Sequence, residues 1–113
     1  MVQYSRTLDS AFGALSDPTR RGILERLGRS DAAISDLADE FDMTLTGIKK
    51  HVGVLEDAGL VTTEKVGRVR TCRLGPRQLD DEAEWIAEYR RMLEGRLNRL
   101  EAFLEATKGR DRK

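Results

Sequence analysis

The sequence predicts a mainly α-helical chain with one small β-hairpin, and three observations carry that prediction. Apolar residues recur three and four apart along five segments, the spacing of a helix face. Between the fourth and fifth segments the period falls to two, over a stretch bounded by glycines, which is the pattern of a hairpin. With 113 residues, 39% of them apolar and 35% charged, the chain has the size of one domain and can build a core without metal or disulfide staples. A single domain over 1–113 is expected.

The first helix is expected over 7–15, where Leu8, Ala11, Phe12 and Leu15 form one stripe. Ser16-Asp17-Pro18 stops it and starts the next, because Asp17 is a good cap and proline suits the first helical position. The second helix, 18–27, turns Ile23, Leu24 and Leu27 inward and should end at Gly28. A polar loop, 29–33, leads to a short third helix over 35–41, capped by Ser35, with Leu37, Ala38 and Phe41 on its apolar face. After the turn Asp42-Met43-Thr44, with Thr44 as a fresh cap, a fourth helix over 45–58 buries Ile48, Val52 and Leu55, with Leu45 on the same side, and ends at Ala58-Gly59. The hairpin spans 60–74 around a Gly67-Arg68 tip. One long helix, 79–107, closes the pattern with Leu79, Ala83, Ile86, Tyr89, Leu93, Leu97, Leu100 and Leu104, widened by Trp85, Met92 and Phe103. Its acids come first and its bases later, which complements the helix dipole. The tail Gly109–Lys113 is polar.

Charge is neutral in total but segregated along the chain. Residues 31–42 hold five acids and no base, whereas 44–77 hold seven bases against three acids, a local +4. A local basic surface, not the total, is what meets phosphate. No apolar run approaches a membrane span, and the amino terminus lacks a signal-peptide layout. The one cysteine, Cys72, makes no intramolecular disulfide and suits a reducing compartment, so a cytoplasmic location with no membrane partner is expected.

A short helix, a three-residue turn and a second helix form the layout of a helix-turn-helix, and the hairpin behind them is a wing. The second helix of such a pair lies in the major groove of DNA with its amino-terminal residues against base edges. Here that stretch is Thr44-Leu45-Thr46-Gly47-Ile48-Lys49-Lys50-His51. With Ile48, Val52 and Leu55 inward, Thr46, Gly47, Lys50 and Gly53 turn outward and Lys49 lies on the flank. Hydroxyl and ammonium groups can donate to phosphates and bases. Gly47 and Gly53 keep the face thin, at a cost of about 1 kcal/mol each relative to alanine. Arg68 and Arg70 place positive charge near the hairpin tip. The candidate DNA-binding set is therefore Thr44, Leu45, Thr46, Gly47, Lys49, Lys50, His51, Arg68 and Arg70, although Leu45 and His51 sit at the edge of the apolar stripe, where packing is the plainer role.

The residues that carry these features resemble a known family. Leu15-Ser16-Asp17-Pro18-Thr19-Arg20-Arg21-Gly22-Ile23-Leu24 is similar to the ALADPTRRAIL opening of ArsR-type (ArsR/SmtB) winged-helix repressors, and Ile34-Ser35-Asp36-Leu37-Ala38 resembles their third helix. Ile48 to Val61 resembles their VSKHLKVLREAGLV block, and Arg68 to Leu74 the return strand of their wing. The resemblance runs from about Leu8 to Leu104. It implies a homodimer that binds double-stranded operator DNA and represses transcription, often until a ligand or metal releases it. By position it implies a DNA-reading role for Thr44, Leu45, Thr46, Lys49 and Lys50. The family commonly has Gln-Pro-Ala where this chain has Leu45-Thr46-Gly47, so the operator does not carry over.

Metal-sensing relatives place Cys-x-Cys on the third helix, where this chain has Asp36-Leu37-Ala38-Asp39-Glu40, and others use histidines on the last helix, which here has none. No metal site and no cofactor are expected, which leaves an unidentified small-molecule effector, a partner protein or no effector. Leu8, Phe12, Leu15, Trp85, Tyr89, Met92 and Leu93 are the candidate dimer seam, because the first and last helices carry more apolar surface than the central domain needs. A two-fold dimer would require an inverted-repeat operator. The competing class is a winged-helix module that binds protein, supported by the neutral total charge and the acidic third helix. No nucleophile–base pair, phosphate loop or metal cluster suggests an enzyme.

Overall fold

The computed structural model describes the backbone of residues Val2–Asp111 and the side chains of residues 6–108. The polar tail expected at Gly109–Lys113 lies outside the described side chains. The elements run α1 (Val2–Leu15), α2 (Pro18–Leu27), β1 (Ala32–Ala33), α3 (Ile34–Glu40), α4 (Leu45–Asp57), β2 (Val61–Val66), β3 (Val69–Leu74) and α5 (Asp80–Asp111). The chain divides into two compact units, Met1–Leu79 and Asp80–Lys113.

In the first unit, α1 ends and α2 begins through one set of contacts. The Asp17 carboxylate caps α2 by accepting from the Arg20 backbone N–H at 3.0 Å, with Pro18 in the first turn, where no donor is needed. The last carbonyls of a helix have no partner within it, and here two arginines of α2 supply them. Arg20 donates from Nε to the Ala14 carbonyl at 2.9 Å and from Nη2 to the Gly13 carbonyl at 3.0 Å. Arg21 donates from Nη1 to the Leu15 carbonyl at 2.7 Å. The run Asp17-Pro18-Thr19-Arg20-Arg21 is therefore a helix-to-helix clasp. At its other end α2 stops at Leu27 with Gly28 as its cap, as expected, the glycine standing in right-handed geometry (φ −63).

The loop expected over 29–33 contains a strand instead. Ala32 and Ala33 pair with Cys72 and Thr71 of β3, giving an antiparallel sheet in the order β1-β3-β2. This short strand runs straight into α3, so Ala33 is the capping position and Ser35 is not, lying exposed inside the first turn. Two alanines carry no alternation, and their pairing is specified 40 residues away. Arg26 braces this corner, holding the Glu40 carboxylate at 2.9 and 3.2 Å and the Ser30 carbonyl at 3.0 Å.

The turn into α4 is a Schellman cap. Asp42 takes the left-handed conformation (φ 52), while Met43 N–H donates to the Ala38 carbonyl at 2.9 Å and Asp42 N–H to the Asp39 carbonyl at 3.2 Å. Thr44 then caps α4, its hydroxyl accepting from Gly47 N–H at 3.1 Å. The far end of α4 repeats the motif with Gly59 at φ 77: Leu60 N–H donates to the Leu55 carbonyl and Gly59 N–H to the Glu56 carbonyl, both at 2.9 Å. Leu55 and Leu60 are both buried, completing the apolar contact that accompanies this cap. The helix therefore has fixed ends on both sides. The hairpin turns at Gly67 (φ 62) and Arg68, between the paired Val66 and Val69, a positive φ at the first central residue being the mark of a type II′ connection.

One core unites these elements: Ile23 and Leu27 of α2, Leu37 of α3, Ile48, Val52 and Leu55 of α4, and Val61 and Cys72 of the sheet are all buried. Phe41 and Met43 from the turn pack against it. Leu79, expected to open the last helix, stands before it in left-handed geometry (φ 61) and packs against this same core.

The second unit is α5, a helix of 32 residues, about 48 Å long at the standard rise. Asp80, Asp81 and Glu82 occupy its first turn, where the helix dipole favours them. Trp85 and Tyr89 stack with centroids 5.5 Å apart and planes 7° from parallel. Ile86, Met92, Leu93, Leu97, Leu100, Phe103 and Leu104 are all exposed in the single chain. Among the described residues no helix is long and apolar enough to cross a membrane.

Candidate nucleic-acid interface

The geometry of α4 follows from its buried row. Ile48, Val52 and Leu55 are at most 2% exposed, so the residues between them must face away from the core. Thr44, Thr46, Lys49 and Lys50 are all exposed. Leu45 differs from its expected packing role: it is 44% exposed, because it heads the helix at the margin of the buried row. His51 differs in the other direction. It is only partly exposed, with Nδ1 3.3 Å from Arg20 Nη1 and 3.8 Å from Asp17 Oδ2, which places its ring at the α1–α2 clasp. The same clasp holds the Asp17 carboxyl below the ordinary aspartate value, through the bond from Arg20 N–H and, against some burial, the nearby His51 and Arg20 charges.

The two glycines of α4 separate. A Cβ on Gly47 would lie 3.2 Å from both Met43 Cε and the capping Thr44 Oγ1, so this glycine makes room for the cap. A Cβ on Gly53 would meet nothing within 4 Å.

The wing carries its charges on two faces. Lys65 and Arg70 are directly paired and share the face of Val61, Thr63 and Cys72, the one turned toward α4. Arg70 donates from Nη1 to Thr63 Oγ1 at 2.9 Å, and Thr63 donates in turn to Glu56 of α4 at 3.0 Å. Arg68 is exposed at the tip. Two further arginines of the basic stretch serve the fold. Arg73 pairs on the opposite face with Asp31 at 3.6 Å and Glu64 at 3.4 Å. Arg77 donates to the carbonyl of Ala58 at 2.9 Å, closing the end of α4, and to that of Thr7 at 3.4 Å. What remains for a partner is Lys49, Lys50, Lys65, Arg68 and the exposed Arg70. Lys65 was not among the residues the sequence singled out; its place beside Arg70 follows from hairpin register.

Residues 15–64, the span from the clasp through α4 into β2, match the family described as a helix-turn-helix domain. The chain is 45% identical to a crystallised ArsR family transcriptional regulator, covering 83% of this chain and 97% of that one with a TM-score of 0.75. The chain belongs to the ArsR family. A second solved structure, an ArsR-like transcriptional regulator from Rhodococcus sp. RHA1, is 34% identical over 94% of this chain and 97% of its own, with a TM-score of 0.78. Among curated relatives, the transcriptional repressor SdpR of Bacillus subtilis is 29% identical over 73% of this chain and 91% of its own length. The ArsR-family chain is thus a DNA-binding transcriptional regulator of mainly helical fold with a small antiparallel sheet.

The remaining candidate residues of this ArsR-family regulator fall into two groups. Of the expected dimer seam, Leu8 is already buried and Phe12 and Leu15 are partly buried, whereas Trp85, Tyr89, Met92 and Leu93 are 40–50% exposed. Cys72 is wholly buried, and burial, with Glu56 adding to it against Arg70, pushes its thiol above the ordinary value. Among the described residues no three His, Cys, Asp or Glu side chains gather where they could hold a metal ion.

Proposed function

We propose that the chain is a homodimeric transcriptional repressor that recognises an inverted-repeat operator with the amino-terminal half of α4, while the wing lies along the flanking backbone. The observation that carries this reading is the exposed set Thr46, Lys49 and Lys50 on a helix capped firmly at both ends. Donors held on a rigid element can select base edges and phosphates. Thr44 and Leu45 flank that set at the helix start, Arg68 marks the tip of the wing and Arg70 its side. Gly47 serves the cap and His51 the clasp, so both support the reading face from behind. The repressor role is supported by the likeness to SdpR.

The dimer reading rests on α5. An apolar row this long is a poor surface to leave in water, and a second copy would cover Trp85, Tyr89, Met92 and Leu93. Two recognition helices would then stand about 34–36 Å apart, one turn of DNA. Carboxylates on α5 without histidine or thiolate are poor ligands for a soft metal, which leaves an organic small molecule, a partner protein or no effector as the control. The regulator catalyses no reaction in this reading and works in the cytoplasm. The test is binding to fragments selected from the source genome: Thr46→Ala with Lys50→Ala should abolish preference for them while the dimer stays folded. An undiminished preference would refute the assignment, and affinity without salt dependence would favour the protein-binding alternative.

A further inference from the structure

We propose that Gly53 is the position where a phosphodiester strand of DNA seats against α4, in the channel between that helix and the wing. This rests on the DNA-reading face assigned above and adds a contact outside it. Glycine in the interior of a helix weakens it relative to alanine, and Gly53 stands in the middle of α4, whereas Gly13, also without a Cβ contact, lies in the last turn of α1. Among the described residues no contact requires Gly53 to be glycine. Gly53 has ordinary helical geometry, and a Cβ there would meet nothing within 4 Å. Gly47 and Gly59 differ, since one makes room for the Thr44 cap and the other has φ 77.

What surrounds the open position is charged and suited to phosphate. Lys49, Gly53 and Glu56 stand four and three residues apart and share one row of the helix. Glu56 touches Thr63 on β2, so that row faces the wing. From the wing, the paired Lys65 and Arg70 lie on the face turned back toward α4. One cation thus stands a turn before the open position on α4, and two more lie on the wing face turned toward that helix. Glu56 and Asp57 bound the stretch toward the carboxyl end, and one oxygen of the Glu56 carboxylate, Oε2, accepts from the Thr63 hydroxyl. A strand of DNA entering there could lie against the backbone of α4, as close approach through glycine allows, with Lys49, Lys65 and Arg70 on its phosphates.

The test uses the full chain, Gly53→Ala and Gly53→Leu variants, and a random-sequence duplex of about 30 base pairs, three helical turns. Thermal melting should rise by about 4 °C for Gly53→Ala, because alanine favours the helix and meets no clash. Affinity for the duplex should nevertheless fall, by roughly tenfold for Gly53→Leu and less for alanine, with the salt slope shallower by about 1. A folded variant that gains stability and keeps full affinity would overturn the inference and leave the DNA-reading face intact. Failure of the unaltered protein to bind the duplex at low salt would overturn both.

Discussion

Replacing Gly75 by alanine should damage the junction between α4 and the wing more than any surface contact would. Gly75 follows β3 and crosses directly over the Schellman cap, its N–H donating to the Leu60 carbonyl at 2.9 Å. A Cβ on it would lie 2.4 Å from the Gly59 carbonyl oxygen and 3.1 Å from the Leu60 carbonyl carbon. Both obstacles are backbone, so no side chain can swing away, and the two segments must part by most of an ångström. That loses a hydrogen bond worth about 1 kcal/mol and adds overpacking strain of about 1–3 kcal/mol. Stiffening of the unfolded chain returns about 0.4–1 kcal/mol. The net loss, about 1–3 kcal/mol, should lower the melting temperature by roughly 10 °C. Differential scanning calorimetry measures it directly, with Gly13→Ala as a control where a Cβ meets nothing within 4 Å. If Gly75→Ala melts at or above the unaltered protein, the close backbone crossing is wrong and so is the placement of the wing.

Further outcomes follow from the clasp, the core thiol and the long helix. Because the folded Asp17 carboxyl sits below its ordinary value, its contribution is fully present above about pH 4 and disappears as pH falls through the lower folded value. Asp17→Ala should therefore lose stability at pH 7 and show a flatter acid limb in urea titrations, whereas a parallel pH profile would refute the capping role. The buried, raised-pKa thiol of Cys72 should resist iodoacetamide at neutral pH and react only as fast as the protein opens. Rapid labelling of native protein would contradict its core position. If the proposed dimer forms through α5, Trp85→Glu with Leu93→Glu should give a folded monomer in sedimentation equilibrium. An unchanged dimer mass would move the seam elsewhere.

Periodicity and capping made most of this fold legible. Asp17 and Thr44 announce their helices because a side-chain oxygen before an apolar row does one local thing, and the Ile48, Val52, Leu55 row fixes the outward face of α4. What was not legible depends on distant partners. Ala32-Ala33 is a strand only because Cys72 and Thr71 lie beside it, and that pairing removes Ser35 from the capping position. The basic stretch showed how many arginines there were but not that Arg73 and Arg77 serve ion pairs and carbonyls. Arg20 and Arg21 stood in the sequence only as part of a family-like opening, whereas their work is to close α1. Leu45 and Gly47 show the limit of a helical wheel. It gives direction, but exposure at the first turn and crowding by Met43 depend on the preceding loop.

In the proposed regulator the exposed start of α4 selects DNA sequence. The most direct measurement is competition between a fragment selected from the source genome and a random duplex, for the unaltered protein and for Thr46→Ala with Lys50→Ala. The unaltered protein should prefer the selected fragment by about a thousandfold or more, whereas the double variant should hold both equally, with weak, salt-dependent affinity. A double variant that keeps the full preference would show that sequence is selected elsewhere on the molecule.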